Sequence, residues 1–350
     1  SPDPFEPLDH ILDVAEEENL LPMLVAETEP TKDSGVDMPR YYVHGFALIR
    51  LGRPEEAWPT VLRLAGKLEQ GEHWLALSLL CGRALESARH VEAALHVARA
   101  FESAGFDSLD PALLRKAYQQ FPDESRLSYL MGELRAREAA AAPGGVESAE
   151  GKAILSEAHS YWAESLDGFV AHRKQAQVED LMLKLGESSD PAILRHVLAA
   201  LKKLGEAGQW GRLDAAVDVV LPALRRAGLQ SDLWNLMLKL LPTAPTASGV
   251  RKWLSELAVE AFPGADGVHD ILNRSGVLDP EVKPEAALKA LDPLLAFAPG
   301  YFVLHASWGV GRIRLNDGET LILDFQEAAN HRMSVSLARR ALTVVPADDL

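Results

Sequence analysis

The feature of the sequence that most constrains its fold is a single change in the spacing of apolar residues, at Pro299-Gly300. Before this point apolar residues recur every three or four positions, as in an amphipathic helix. After it, segments 301–306, 310–315 and 320–325 are rich in aromatic and β-branched residues, which favour strands. The pattern predicts a mostly α-helical chain with a small β domain after residue 299, in which Asn316-Asp317-Gly318, between the second and third of these segments, predicts a hairpin.

Short breaks marked by glycine, proline or aspartate divide the helical part. Asp110-Pro111 and Asp190-Pro191 each place a side-chain acceptor before a proline at the first helical position, which is typical of a helix start. We predict helices near residues 5–27, 38–51, 54–69, 72–88, 91–104, 110–120, 124–141, 150–170, 175–186, 190–206, 211–227, 230–241, 248–261, 267–274 and 284–297.

Two neighbouring helix pairs superpose at an offset of 37 residues. The positions Gly45, Leu48, Glu55 and Ala57 match Gly82, Leu85, Glu92 and Ala94. A glycine lets the first helix of a pair approach the second closely, and the pattern resembles the tetratricopeptide repeat. A third unit begun at Gly132 lacks the matching leucine and alanine, so the repeats are predicted to be irregular.

Two proline- and glycine-containing segments, Ala139–Ser148 and Pro242–Gly249, are candidate linkers. The first is expected to separate two helical blocks. We therefore predict a helical block at 1–142, a second at 146–297 and a β domain at 299–350.

Composition excludes several classes of function. The 35 basic residues face 51 acidic ones, and the net charge of −16 repels polyanions, so direct nucleic acid binding is not expected. The one cysteine, Cys81, allows no disulfide within the chain, and residues 1–13 lack the pattern of a signal peptide, which favours a cytoplasmic location. The sequence has no uninterrupted run of eighteen apolar residues, so no membrane span is predicted.

The sequence also lacks the common motifs of enzymes and metal sites. Gly309-Val310-Gly311 could begin a phosphate-binding loop, but Arg314 stands in place of the third glycine and a strand follows, so we expect a bulge or tight bend. His305 and His331 could approach each other and are interpreted as structural. We expect no catalytic residue, metal, cofactor or small-molecule substrate, and classify the chain as a non-enzyme.

The strings His305–Ile313, Ile322–Phe325 and His331–Ser334 resemble the small barrel that precedes the catalytic part of long, N-terminally extended Gre-type transcript cleavage factors. The core pattern His-x-x-x-Gly-Val-Gly-x-Ile is similar to the RNA-polymerase-interacting domain of CarD-type regulators and the transcription-repair coupling factor. The resemblance implies a Tudor-like or SH3-like barrel that binds polymerase along an exposed strand edge. The expected fold is an irregular tetratricopeptide-like α-solenoid followed by a small SH3/Tudor-like β-barrel.

Two domains of these families are not expected within this sequence. Beyond the barrel, the long cleavage factors continue into an acidic-tipped hairpin and a globular domain, and CarD-type proteins continue into a basic helical DNA-binding domain. The 350 residues contain neither, so transcript cleavage is not expected of them. Whether they form part of a longer factor with a catalytic Gre-type domain stays open.

The preferred hypothesis is a transcription-associated adaptor that binds RNA polymerase through the barrel and another protein through the helical array. Its candidate partner-binding residues are Trp308, Arg312, Phe325 and Arg332. Trp308 and Phe325 could equally form the barrel core, whereas Arg312 should be exposed. The alternative is a general helical-repeat scaffold, unrelated to transcription, whose barrel caps the array.

Overall fold

The computed structural model describes residues 3–30 and 37–345. Its contacts divide the chain into two compact units, one ending at Gln177 and the other beginning at Val178. The described residues form 17 α-helices and, after residue 300, a five-stranded antiparallel sheet. The prediction of a helical array followed by a small β domain is confirmed. Residues 1–2, 31–36 and 346–350, which belong to the predicted domains, lie outside the described residues.

The first unit consists of consecutive helices. Its helices are α1 (Glu6–Glu17), α2 (Leu21–Thr28), α3 (Met38–Arg50), α4 (Pro54–Gln70), α5 (Trp74–Ser87), α6 (Val91–Ala104), α7 (Pro111–Gln120), α8 (Ser125–Ala141) and α9 (Ala149–Ala171). The predicted single helix at 5–27 is wrong, because Asn19 has a φ of 57° and ends α1. Pro22 then fits the first turn of a new helix, where its missing N–H is not needed.

The matched glycines both stand at close helix crossings, but they face different neighbours. A Cβ added at Gly45 in α3 would lie 2.7 Å from Val61 Cγ2 in α4, as predicted for the first helix of a pair. A Cβ added at Gly82 in α5 would collide with Leu113, which belongs to α7 rather than to the paired helix α6. The close approach expected between α5 and α6 at Gly82 is therefore a contact with the next helix along the chain.

The predicted linker Ala139–Ser148 joins two helices of the first unit. Helices α8 and α9 pack against each other on either side of it, and Gly132 in α8 makes room for the ring of Trp162 in α9. A small residue at a close crossing thus recurs at Gly132, although the leucine and alanine of the repeat pattern are missing there. The boundary between compact units falls about thirty residues later, at Gln177–Val178.

The second unit begins with α10 (Gln175–Leu185), whose first three residues still belong to the first unit. It continues with α11 (Pro191–Glu206), α12 (Trp210–Arg226), α13 (Gln230–Leu240), α14 (Val250–Ala261), α15 (Val268–Ser275) and α16 (Pro284–Ala296). The side chains of Asp110 and Asp190 accept hydrogen bonds from Ala112 and Ala192, so both predicted helix starts are confirmed.

The β domain follows α16 in the same unit. It contains β1 (Phe302–His305), β2 (Gly309–Asn316), β3 (Thr320–Phe325), β4 (Ala328–Ser334), α17 (Val335–Ala341) and β5 (Leu342–Val345). The strands pair in the order β4-β3-β2-β1-β5, and every pairing is antiparallel. The SH3/Tudor-like closure of this sheet into a barrel stays a prediction.

One face of the sheet packs into a small core. Ten buried residues form it, and Phe297, between α16 and β1, is one of them. The hairpin predicted from Asn316-Asp317-Gly318 connects β2 to β3, with Gly318 at a φ of 97°. Asp317 stabilises this turn by accepting hydrogen bonds from the backbone N–H groups of Glu319 and Thr320, and these two bonds lower the pKa of its carboxyl.

Candidate partner-binding surface

Trp308 lies in the turn between β1 and β2, and His305 holds this turn in place. Nδ1 of His305 accepts hydrogen bonds from the backbone N–H groups of Ser307 and Trp308, at 3.1 and 3.3 Å. Gly309, which follows, has a φ of 69° and lets the chain enter β2. The position of the indole is therefore set by a local hydrogen-bonded turn.

Four rings meet at this end of the sheet, and we call His305, Trp308, Phe325 and His331 the aromatic cluster. The centroid of the Trp308 ring lies 4.1 Å from that of His305, 4.3 Å from that of His331 and 5.4 Å from that of Phe325. The two histidines thus both contact Trp308, which agrees with a structural role. No group of three or more metal-ligating side chains occurs among the described residues.

The two aromatic candidates have different environments. Phe325 is 5% exposed and belongs to the core of the β domain, whereas Trp308 is 42% exposed at the rim. A Cβ at Gly311 would lie 2.6 Å from the Phe325 ring, so a glycine is needed there for close packing. The shift in strand register lies further on, between Ile313 and Leu315, while the positive φ of Gly309 agrees with a tight bend, the other expectation for Gly309–Gly311.

The two arginine candidates lie on the opposite face of the sheet from Phe325. Residues paired across strands share a face, and Arg312 is paired with Phe302 and Asp324, while Arg332 is paired with Ile322. This face, which we call the outer sheet face, also carries Leu304, Val310 and Leu315. The four predicted residues therefore do not form one site.

Arg312 and Arg332 differ in what they contact. Arg312 is 51% exposed, as predicted, but its guanidinium is 2.9 Å from a carboxylate oxygen of Asp266, in the loop before α15. Arg332 is exposed on β4, and the structure gives it no acidic partner among the described residues. Arg332 is consequently better placed than Arg312 to pair with an acidic group of a partner.

Sequence reasoning missed the exposed apolar residues of the outer sheet face. Leu304, Val310 and Leu315 are 47%, 43% and 46% exposed. Leu304 and Val310 are directly opposed across β1 and β2. Alternation along the strands places Leu304 and Val310 opposite the inward Val303 and Ile313, but it would have placed Leu315 inward, because the register shift after Ile313 reverses the alternation.

Asn316 is a second residue whose role was missed. It is buried, and its amide Nδ2 lies 2.8, 3.3 and 3.0 Å from the carbonyl oxygens of Pro293, Leu294 and Phe297, at the end of α16. Its Oδ1 accepts a hydrogen bond from Gly318 in the hairpin. One side chain therefore joins the β2–β3 turn to the preceding helix, while the sequence indicated only a turn.

Both edges of the sheet are unpaired within the described residues. β4 pairs only with β3 and β5 only with β1. β4 is seven residues long and carries Arg332, whereas β5 is four residues long. An unpaired edge offers backbone N–H and C=O groups to a partner strand.

Cys81 is fully buried in α5. Burial raises the pKa of its thiol to about 12.

The described residues contain no helix long and apolar enough to span a membrane.

The fold and this surface define the chain as a helical-array protein carrying a small antiparallel β domain with an exposed edge and outer face. Over 189 residues it is 23% identical to a protein of Treponema pallidum (strain Nichols) named as a GreA-associated domains protein. The similar segment makes up 53% of this chain but only 28% of that protein. The similarity is distant, and the Gre-related name is that of the Treponema protein. No family model matches the chain, and no solved structure matches it.

Proposed function

We propose that the protein is a non-enzymatic, transcription-associated adaptor. Its β domain binds RNA polymerase, and its helical array binds a second protein. The observation that carries the proposal is the seven-residue edge strand β4, which carries Arg332 and which no other described strand covers, in the segment that resembles polymerase-interacting domains.

Strand addition is the binding mode that this edge favours. A partner strand laid along β4 would hydrogen-bond to its free backbone groups, and side chains such as Arg332 would provide specificity. The order of the strands supports the proposal, since β5 returns beside β1 after a four-stranded meander, as a small SH3/Tudor-like barrel requires. The relative named for its GreA-associated domains supports a role in transcription.

A second candidate function is favoured by the attachment of the β domain to α16. Asn316 and Phe297 join the sheet to that helix, as a domain that only caps a helical array would require. On this alternative the protein is a general scaffold, and the β domain has no partner in transcription.

Titration of purified RNA polymerase with the full chain separates the two functions. The adaptor proposal predicts saturable binding, and an Arg332→Glu change should weaken it by at least about 1 kcal/mol, or roughly fivefold, by reversing an interface charge. Arg340→Glu is the matched control, because Arg340 is exposed on α17 and the change in net charge is the same.

The control variant should bind like the original chain. Circular dichroism and thermal melting would confirm that both variants fold. A folded chain without measurable affinity for polymerase would reject the adaptor function and favour the capping scaffold. Equal loss of affinity in both variants would show that net charge, and not the β4 edge, determines binding.

A further inference from the structure

The first two helices carry large apolar residues that the described part of the first unit leaves exposed. Leu12 and Ala15 of α1 and Leu21 of α2 are buried and belong to the core of this unit. On the other side, Ile11 and Val14 are 47% and 45% exposed, three residues apart on one face of α1. Leu20, which precedes α2, and Met23 in α2 are 42% and 57% exposed. We call these four residues the α1–α2 outer face.

The same two helices have an unusually one-sided charge. Residues 1–31 contain nine acidic residues and no lysine or arginine. Several of these acids hold the helix in place: Asp3 and Asp9 pair with Arg83, and Asp13 and Glu16 with Arg50. These pairs explain why α1 is bound to the array, but they use only part of the negative charge.

The remaining acids border the exposed apolar residues. Glu6, Glu17, Glu18 and Glu27 are exposed, and no ion pair is found for them among the described residues. Glu17 and Glu18, at the end of α1, follow Val14 by three and four positions, so their carboxylates lie at the C-terminal end of the stripe formed by Ile11 and Val14. The α1–α2 outer face thus has exposed carboxylates next to its apolar residues.

We propose that this face is the docking site for a basic amphipathic helix of a partner protein. Such a helix has an apolar stripe between rows of lysine or arginine, which complements an apolar stripe bordered by carboxylates. The proposal rests on the part of the proposed function that gives the helical array a protein partner. It does not depend on polymerase binding by the β domain.

The charge pattern favours a basic helix over nucleic acid, anionic lipid or a second copy of the chain. Nucleic acid and anionic lipid surfaces would be repelled by the unpaired carboxylates. A second copy of the chain, docked symmetrically through the same face, would bring glutamates against glutamates, and like charges across an interface are unfavourable. The exposed Val219 and Val259 of the second unit differ, because the acidic residues next to them are already paired, in Lys252–Asp218 and Arg225–Glu260.

The test uses the full chain and three synthetic peptides of about 18 residues, long enough for about five helical turns. The first has leucine at helical spacing flanked by lysine, the second has glutamate in place of each lysine, and the third is a scrambled form of the first. Fluorescence anisotropy of the labelled peptides measures binding. The proposal predicts saturable binding of the first peptide and much weaker binding of the other two.

Variants of the chain then distinguish docking from simple attraction of opposite charges. Ile11→Ser combined with Val14→Ser should weaken binding of the first peptide at least about tenfold, because both half-exposed side chains would be covered in the complex. Glu17→Gln combined with Glu18→Gln should weaken it about threefold, and less at high salt. Val259→Ser, at a valine of α14 that is 57% exposed, is the control and should bind unchanged.

Absence of binding by the original chain would overturn the proposal. Equal binding of the first peptide by the Ile11/Val14 double variant and the original chain would also overturn it, since the attraction would then be purely electrostatic. Neither result would affect the polymerase titration, because that experiment concerns β4. The failure of one proposal is therefore distinguishable from the failure of the other.

Discussion

The helical array and the β domain obtain their stability in different ways. In the first unit one continuous core extends from Phe5 to Leu134, and neighbouring helices approach closely at glycines such as Gly45 and Gly132. The β domain has a core of only ten buried residues, one of which, Phe297, precedes its first strand. A small sheet with so little core gains stability from the helix beside it. A destabilising substitution should therefore affect only neighbouring helices in the array, whereas in the β domain it should affect the whole domain.

The largest effect is expected at Asn316. Asn316→Ala would leave three carbonyl groups at the end of α16 without their donor and remove the acceptor for Gly318, and should cost about 3 kcal/mol. Urea denaturation would measure the loss. Asn273→Ala, at an exposed asparagine of α15, is the control and should change stability by less than about 0.5 kcal/mol. If the two variants were equally stable, Asn316 would not attach the domain to the helix.

The close helix crossings should give the next largest effect. Gly45→Leu and Gly82→Leu should each cost about 1–3 kcal/mol, because the new side chains would overlap Val61 and Leu113. Gly66 in α4 has nothing within 4 Å of an added Cβ, so Gly66→Leu should be neutral or stabilising by up to about 1 kcal/mol. Denaturation curves that did not separate Gly66 from the other two would contradict the packing described for the array.

The exposed contact between Arg312 and Asp266 should matter much less than the buried bonds of Asn316. Both side chains are more than half exposed, and surface ion pairs contribute little. Arg312→Ala should therefore cost no more than about 0.5 kcal/mol by urea denaturation. A loss as large as that of Asn316→Ala would show that the ion pair, and not the asparagine, attaches the β domain.

The smallest expected effect is a pH dependence of stability that arises from His96 in the helical array. Burial, followed by the charge of Arg99, lowers the pKa of His96, although Glu69 lies 2.9 Å away. Below about pH 6.5, the ordinary histidine pKa, the unfolded chain takes up a proton that the folded chain resists, so stability falls as pH falls. Denaturation at pH 7.5 and 5.5 should show this decrease, and His96→Gln should reduce it. An unchanged pH dependence in the variant would exclude His96 as its source.

The comparison also shows what the sequence can predict. The change of period at Pro299-Gly300 located the β domain, and the Asp-Gly turn located its hairpin, because both depend on local geometry. The neighbour of Gly82 and the carbonyl partners of Asn316 depend on which elements pack together, and spacing along the chain does not determine that. The break at Asn19 was missed because one left-handed residue does not disturb the apolar period.

The candidate site was predicted only in part, for a similar reason. The segments that resemble known families identified the candidates Trp308, Arg312, Phe325 and Arg332. Such a resemblance does not indicate on which face of the sheet each side chain lies. Cross-strand register places the arginines on the outer sheet face and Phe325 in the core. The position of Leu315 on that face became evident only with this register, because the shift after Ile313 breaks the alternation.

Hydrogen–deuterium exchange of the full chain, with and without purified RNA polymerase, tests the central claim most directly. Backbone N–H groups on the free edge of β4 should exchange rapidly in the free chain and slowly in the complex, because a partner strand would bond to them. The account predicts that polymerase protects residues 328–334 and leaves the α1–α2 outer face unchanged. Polymerase binding without protection of these residues would contradict it.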